Sequence, residues 1–201
     1  MTKSLLLGTI LGGLTAFIWS SISWAVLSWH EKPMLAFQNE EDVAAVIASH
    51  SMQSGIYVLP GAPPPTEGMT ADQKKAAQTA QMAKMQKGPL MFAAIRRDGF
   101  PSYTRGLIIQ LLSIFAAAFL LTWMLLQTSG LRYAGRVMFL AVAGLAASVI
   151  VDLPNWNWWG FSGTYTLINL VDFTLTWMFA GFVIAKVAKP RVPAVGFASN
   201  S

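Results

Sequence analysis

The chain has 201 residues, 54% hydrophobic and 11% charged, with a formal net charge of +5. A soluble domain carries about a quarter charged residues, so this composition excludes an ordinary water-soluble globule and makes lipid the expected solvent. There are no cysteines, which excludes disulfides, thiolate metal sites and a cysteine nucleophile.

Four apolar stretches organise the sequence: Leu5–Trp29, Gly106–Gln127, Val137–Val151 with its flanks, and Tyr165–Ala185. A helix rises 1.5 Å per residue, so about 20 residues cross the hydrocarbon core of a bilayer. Lys3 flanks the first stretch, Arg132 and Arg136 lie between the second and third, and Lys186, Lys189 and Arg191 follow the fourth. Those three regions hold no Asp or Glu, and the segment Asp152–Thr164 holds no Lys or Arg. The positive-inside rule then places both termini and the second loop in the cytoplasm, with the first and third loops outside. Orientation accounts for the basic ends, with some attraction to anionic lipid headgroups and no nucleic-acid partner.

The first stretch (residues 1–29) opens like a signal peptide, with Lys3 before Leu5–Leu7 and a small-x-small pattern at Ser21-Ile22-Ser23. Its apolar run continues through Trp24, Val26, Leu27 and Trp29. That is too long for a cleaved leader and predicts a retained anchor. Gly8, Gly12, Ala16 and Ser20 recur every four residues on one face, a spacing that lets two helices approach closely, within this chain or with a partner.

Residues 30–105 form the outward segment. Asn39 before Glu40-Glu41-Asp42 and Val43–His50 predicts a short helix with an acidic first turn. Gly55–Leu59 predicts a strand, and Gly61-Ala62-Pro63-Pro64-Pro65 a stiff connector. Thr70 and Gln73 make a capping box that opens a helix ending at Gly88-Pro89. Leu90–Ile95 predicts a second strand, paired with the first and closed by Asp98-Gly99. This α-β-α-β segment is small for an independent core and is expected to rest on the membrane domain. Arg96-Arg97-Asp98 predicts a solvated turn.

Residues 106–190 hold helices two to four. The second contributes Ala116–Ala118, and the third repeats the small-residue face with Gly144 and Ser148. The third loop is rich in tryptophan: Trp156, Trp158 and Trp159, with Trp29, predict an interfacial aromatic cluster. In the fourth stretch Tyr165, Asn169, Asp172 and Thr176 fall at i, i+4, i+7 and i+11, one polar stripe. Asp172 lies about 10 Å below the outer boundary by helical rise. There a carboxylate must face protein or water. No Lys, Arg or His lies within the apolar stretches to neutralise it. Its candidate partners are Ser20, Ser21, Ser23, Gln110 and Ser113, and it is one acceptor for the deep indoles Trp19, Trp123 and Trp177. Residues 191–201 are left as a cytoplasmic tail.

The remaining chemistry is sparse. His30 and His50 belong to the outward segment or its edge, so neither is placed as an intramembrane haem ligand or as a base for a serine. The outward methionines Met34, Met52, Met69, Met82, Met85 and Met91 are scattered rather than spaced as a soft-metal site. No catalytic residue, cofactor or metal is assigned. Trp19…Trp24…Trp29-His30, Ser54-Gly55-Ile56-Tyr57-Val58-Leu59-Pro60-Gly61, Leu153-Pro154-Asn155-Trp156-Asn157-Trp158 and Asp172…Trp177…Gly181 together resemble a group of uncharacterised bacterial inner-membrane proteins with four spans and one outward loop. That resemblance implies a bacterial cytoplasmic membrane and no particular reaction.

The sequence thus predicts an all-α membrane protein, a four-helix transmembrane bundle with a small α/β extracytoplasmic insertion between helices 1 and 2. Its expected partners are membrane lipids and other integral membrane proteins or itself. The leading function is a non-enzymatic accessory, assembly or scaffold subunit. The alternative is a small channel or proton-coupled transporter using Asp172.

Overall fold

Six helices and two strands follow one another along the chain in a computed structural model that describes residues 2–61 and 67–189. They are α1 (Thr2–Ala25), α2 (Glu40–His50), β1 (Gly55–Leu59), α3 (Ala71–Lys87), β2 (Met91–Ile95), α4 (Tyr103–Leu126), α5 (Tyr133–Trp159) and α6 (Gly163–Val187). The proline connector beyond Gly61, together with Arg191 and the 191–201 tail, lies outside the described residues. α1, α4, α5 and α6 are long and apolar enough to cross a membrane, and at 24 to 27 residues each spans about 36–40 Å.

The described residues divide into two units. One holds α1 with the turn to Met34, α4, α5 as far as Leu153, and α6; the other holds residues 35–101 and 154–161. In the first unit α1 packs along both α4 and α6, because its small residues remove the side chains that would keep backbones apart. Gly8 lies against Thr122, Gly13 against the Phe115 ring and Gly12 against Ile184. These pairings run α1 antiparallel to α4 and to α6. The glycine face is therefore an internal seam, with Ala16 fully buried beside it. α5 is antiparallel to α6: Tyr133 Oη donates to the Phe182 carbonyl at 3.0 Å, and Gly144 sits against Phe173 and Trp177. The core joins Ala16, Ile114, Ala118, Leu125, Leu140, Trp177, Ala180 and Ile184. Ile18, Ile108, Leu112, Ile150 and Leu167 are among the large apolar side chains left exposed, a surface compatible with helices that cross a membrane.

Several hydroxyls on these apolar helices are satisfied within their own turn, while the buried Thr122 and Thr166 hydroxyls are left without a partner. Thr9, Thr15, Ser21, Ser113, Thr174 and Thr176 each donate to the carbonyl four residues back, which removes the cost of an unpaired polar group.

The third apolar stretch differs from expectation at its end. Residues 152–159 continue α5 through Pro154 instead of forming a loop. Proline removes one backbone donor and opposes one helical bond, but no glycine follows until Gly160. There φ reaches +74°, the left-handed conformation that stops the helix, and Phe161 N–H reaches back to the Asn155 carbonyl at 3.3 Å.

In the second unit β1 and β2 pair antiparallel with Gly55 opposite Ile95 and Leu59 opposite Met91. The Thr70–Gln73 capping box forms in both directions, and α3 ends at Gly88. Asn39 precedes α2 as expected, yet its amide turns to the Asp42 carboxylate rather than capping the helix. Arg97 is more than a solvated turn. Its guanidinium donates to the Met52 carbonyl at 2.8 Å and its backbone N–H to Ser54 Oγ at 3.0 Å, tying the end of β2 to the approach to β1.

A Cβ placed on Gly144 would lie 2.8 Å from the Phe173 carbonyl oxygen, a backbone atom that cannot swing aside. Gly144→Leu is therefore expected to destabilise the detergent-solubilised protein by about 1–3 kcal/mol, read as a lowered Tm. Gly55→Ala, where no atom lies within 4 Å of the new methyl, leaves Tm unchanged.

Candidate functional site

The polar atoms of the helical unit gather around two buried carboxylates, one on α6 and one on α5. Asp172 is nine residues into α6 and 5% exposed. Its Oδ1 accepts from Trp19 Nε1 and from Ser23 Oγ, each at 2.8 Å. Its Oδ2 lies 3.3 Å from His30 Nε2. Trp29 Nε1 in turn donates to Ser23 Oγ at 3.0 Å. Three side chains from α1 and the turn after it thus meet one carboxylate from α6, and a fourth, Trp29, joins them through Ser23.

The backbone explains how His30 arrives there. The first apolar stretch reads as one helix to Trp29, which would carry His30 about 10 Å along the axis from Ser23. Instead α1 stops at Ala25, the N–H groups of Val26 and Leu27 both return to the Ile22 carbonyl, and residues 28–33 turn. His30 folds back until its Nε2 is 3.1 Å from Ser23 Oγ and its exposure falls to 1%. Trp24 stacks on the imidazole, with centroids 4.0 Å apart and planes 6° from parallel, and Trp29 meets it edge-on at 5.6 Å. The expectation that no histidine reaches Asp172 is corrected by this turn. The signal available in the sequence was the topology, which puts the end of the first stretch and the start of the fourth on one side.

Serine, histidine and aspartate in contact invite comparison with a nucleophilic triad, and the geometry excludes one. A triad uses both imidazole nitrogens, one oriented by the carboxylate and the other taking the serine proton. Here Ser23 and Asp172 meet the same nitrogen, Nε2, while the Ser23 hydroxyl donates its hydrogen bond to Asp172. His30 Nδ1 is buried without a hydrogen-bond partner, and Ser23 is 0% exposed, so no substrate atom reaches its oxygen. The arrangement anchors helices rather than activating a hydroxyl.

Asp152 is the second carboxylate. Because α5 continues past it, the residue lies on a helix rather than in a loop and is 8% exposed. Ser148, one turn earlier, donates to its Oδ2, and Asn169 Nδ2 of α6 donates to its Oδ1 at 2.9 Å.

The predicted stripe on α6 is accordingly divided. Asn169 bonds to Asp152 on α5, Asp172 takes its donors from α1 and the following turn, and Thr176 bonds to the Asp172 carbonyl. Tyr165 is half-buried, with its backbone N–H on Ser162 Oγ. Of the aromatic cluster, Trp29 belongs to the Asp172 network. Trp156, Trp158 and Trp159 are exposed at the end of α5, where Trp159 lies 4.6 Å from the Phe92 ring.

A cavity of about 520 Å³ opens between α1, α4 and α6, with Asp172 in its wall beside Ser20, Gln110 and Trp177. Among the described residues no group of three His, Asp or Glu side chains is placed to hold a metal ion.

Truncating Asp172 leaves the Trp19, Ser23 and His30 donors unpaired inside the bundle. Asp172→Leu is expected to cost about 3–5 kcal/mol, the range for removing one partner of a buried pair. A His30→Ala/Asp172→Asn double-mutant cycle, followed by unfolding in detergent, should show coupling of about 1 kcal/mol or more. Additive effects would mean that the His30–Asp172 contact contributes nothing.

With this geometry in hand, no protein-family model, curated protein or solved structure matches the chain.

Proposed function

We propose that this chain is a multi-pass protein of a bacterial cytoplasmic membrane, with both termini cytoplasmic and residues 35–101 outside. In this reading it serves as a non-enzymatic accessory, assembly or scaffold subunit beside other membrane proteins or a second copy of itself. The observation that carries the reading is the use of both buried carboxylates as interhelical anchors. Each is occupied by donors from a neighbouring element, and neither presents a nucleophile or a metal set. The antiparallel helix order supports the orientation. It gathers Lys3, Arg132, Arg136, Lys186 and Lys189 at one end of the four helices, the sorting that fixes cytoplasmic faces.

Two measurements test this reading. Reporters fused to either terminus should respond only from the cytoplasm, and one placed in residues 35–101 only from outside. Crosslinking in intact membranes should trap one reproducible species, resolved by mass spectrometry as a homo-oligomer or a defined complex. Recovery of monomer alone across crosslinker lengths would overturn the scaffold reading.

A second reading, passage of protons or small cations past Asp172, draws on that residue's place in the cavity wall. Its signature is flux into proteoliposomes that falls at least tenfold in Asp172→Asn. Equal flux in wild type and variant removes it.

A further inference from the structure

We infer that the cavity between α1, α4 and α6 is a binding site for a quinol-class amphiphile, whose flat hydroxyl-bearing ring enters while its hydrocarbon tail stays in lipid. This inference stands apart from the scaffold reading and would survive its failure.

The cavity's volume of about 520 Å³ falls within the roughly 300–1,000 Å³ of small-molecule sites and suits one substituted ring. Its walls are partly aromatic. Trp24 and Phe173 line the cavity from α1 and α6 and are 49% and 46% exposed, while Trp177 closes it as part of the core. Aromatic faces of this kind stack on a planar ring.

The polar groups decide the chemistry. A carboxylate offers about four acceptor positions, and Trp19, Ser23 and His30 occupy three on Asp172. Asp172 is also a residue of the cavity wall, so it has room for one further donor such as a ring hydroxyl. Ser20 and Gln110 stand in the same wall, seven residues or fewer from the ends of α1 and α4. Each can donate or accept, as the two oxygens across a quinol ring require. No Lys or Arg lines the cavity. A phosphate or fatty-acid head would therefore meet the Asp172 carboxylate with no lysine or arginine in the cavity wall to pair with, which disfavours the commoner anionic membrane lipids.

Depth agrees with an amphiphile. Gln110 is seven residues into α4 and Asp172 nine into α6, about 10–14 Å along each helix, where a ring can be held while its tail remains among acyl chains.

The test uses the full-length protein in detergent and in phosphatidylcholine nanodiscs, titrated with decylubiquinol and read by native mass spectrometry. Saturable retention of one decylubiquinol per chain is expected, with decyl phosphate retained at least tenfold more weakly. Gln110→Leu removes an exposed side chain and leaves the buried network intact; it should weaken retention roughly tenfold, the loss of one hydrogen bond to a polar head. Ser20→Phe, which fills the cavity, should abolish retention, with an unchanged circular-dichroism melt confirming the fold. Leu112→Ala, on the exposed face of α4, should bind as wild type. Three outcomes overturn the assignment: no saturable retention, equal retention of decyl phosphate, or wild-type affinity in both cavity variants.

Discussion

A carboxylate held among apolar helices must find hydrogen-bond donors or stay in contact with water, and Asp172 imposes this constraint on much of the helical unit. Its donors come from residues 142 to 153 positions earlier in the chain. Satisfying them requires α1 to lie against α6, to end at Ala25 and to turn back so that the imidazole reaches the carboxylate. The tryptophans follow from the same demand. Trp19 donates to the carboxylate, Trp29 to the serine that donates to it, and Trp24 covers the imidazole face. A change at any of these positions is felt by the others, because the low dielectric that strengthens each bond also penalises each vacancy.

Small residues make that arrangement physically accessible. The 2.8 Å hydrogen bonds from Trp19 and Ser23 to Asp172 can close because Gly12 and Ala16, one to three turns away, let α1 approach its neighbours. Gly144 plays the corresponding part between α5 and α6, where Ser148, Asp152 and Asn169 then bond. In both pairs a glycine contact and a carboxylate network lie along one seam. Packing brings the helices together and the polar contacts fix their register, since a slip of one residue would turn Asp172 or Asn169 away from its partner.

Features encoded by neighbouring residues were legible before the structure. The four long helices, the Thr70–Gln73 capping box, the stop at Gly88 and both strands with their pairing emerge from spacing, caps and composition alone. Asp172 stood out as an isolated intramembrane carboxylate, and Trp19 was among its named donors. What escaped depends on contacts distant in sequence. Nothing between Val26 and His30 announces a break, as neither glycine nor proline interrupts the apolar run until Pro33; the end of α1 is set by what His30 meets after the turn. Asp152 was misplaced for the opposite reason. Pro154 signals a loop, yet one missing backbone bond did not outweigh the helix on both sides of it. The polar stripe on α6 had the right residues and the wrong unity, because adjacent turns of that helix face different neighbours.

The central position of α1 bears on biogenesis. Translation delivers α1 ahead of α4 and α6, so Gly8 and Gly13 wait for α4, and Gly12 with the serine, histidine and indole donors waits for α6. Closure is postponed until a carboxylate synthesised 149 residues after Ser23 comes into place beside α1. Until α6 docks, Trp19, Ser23 and His30 are polar groups without the carboxylate that joins them.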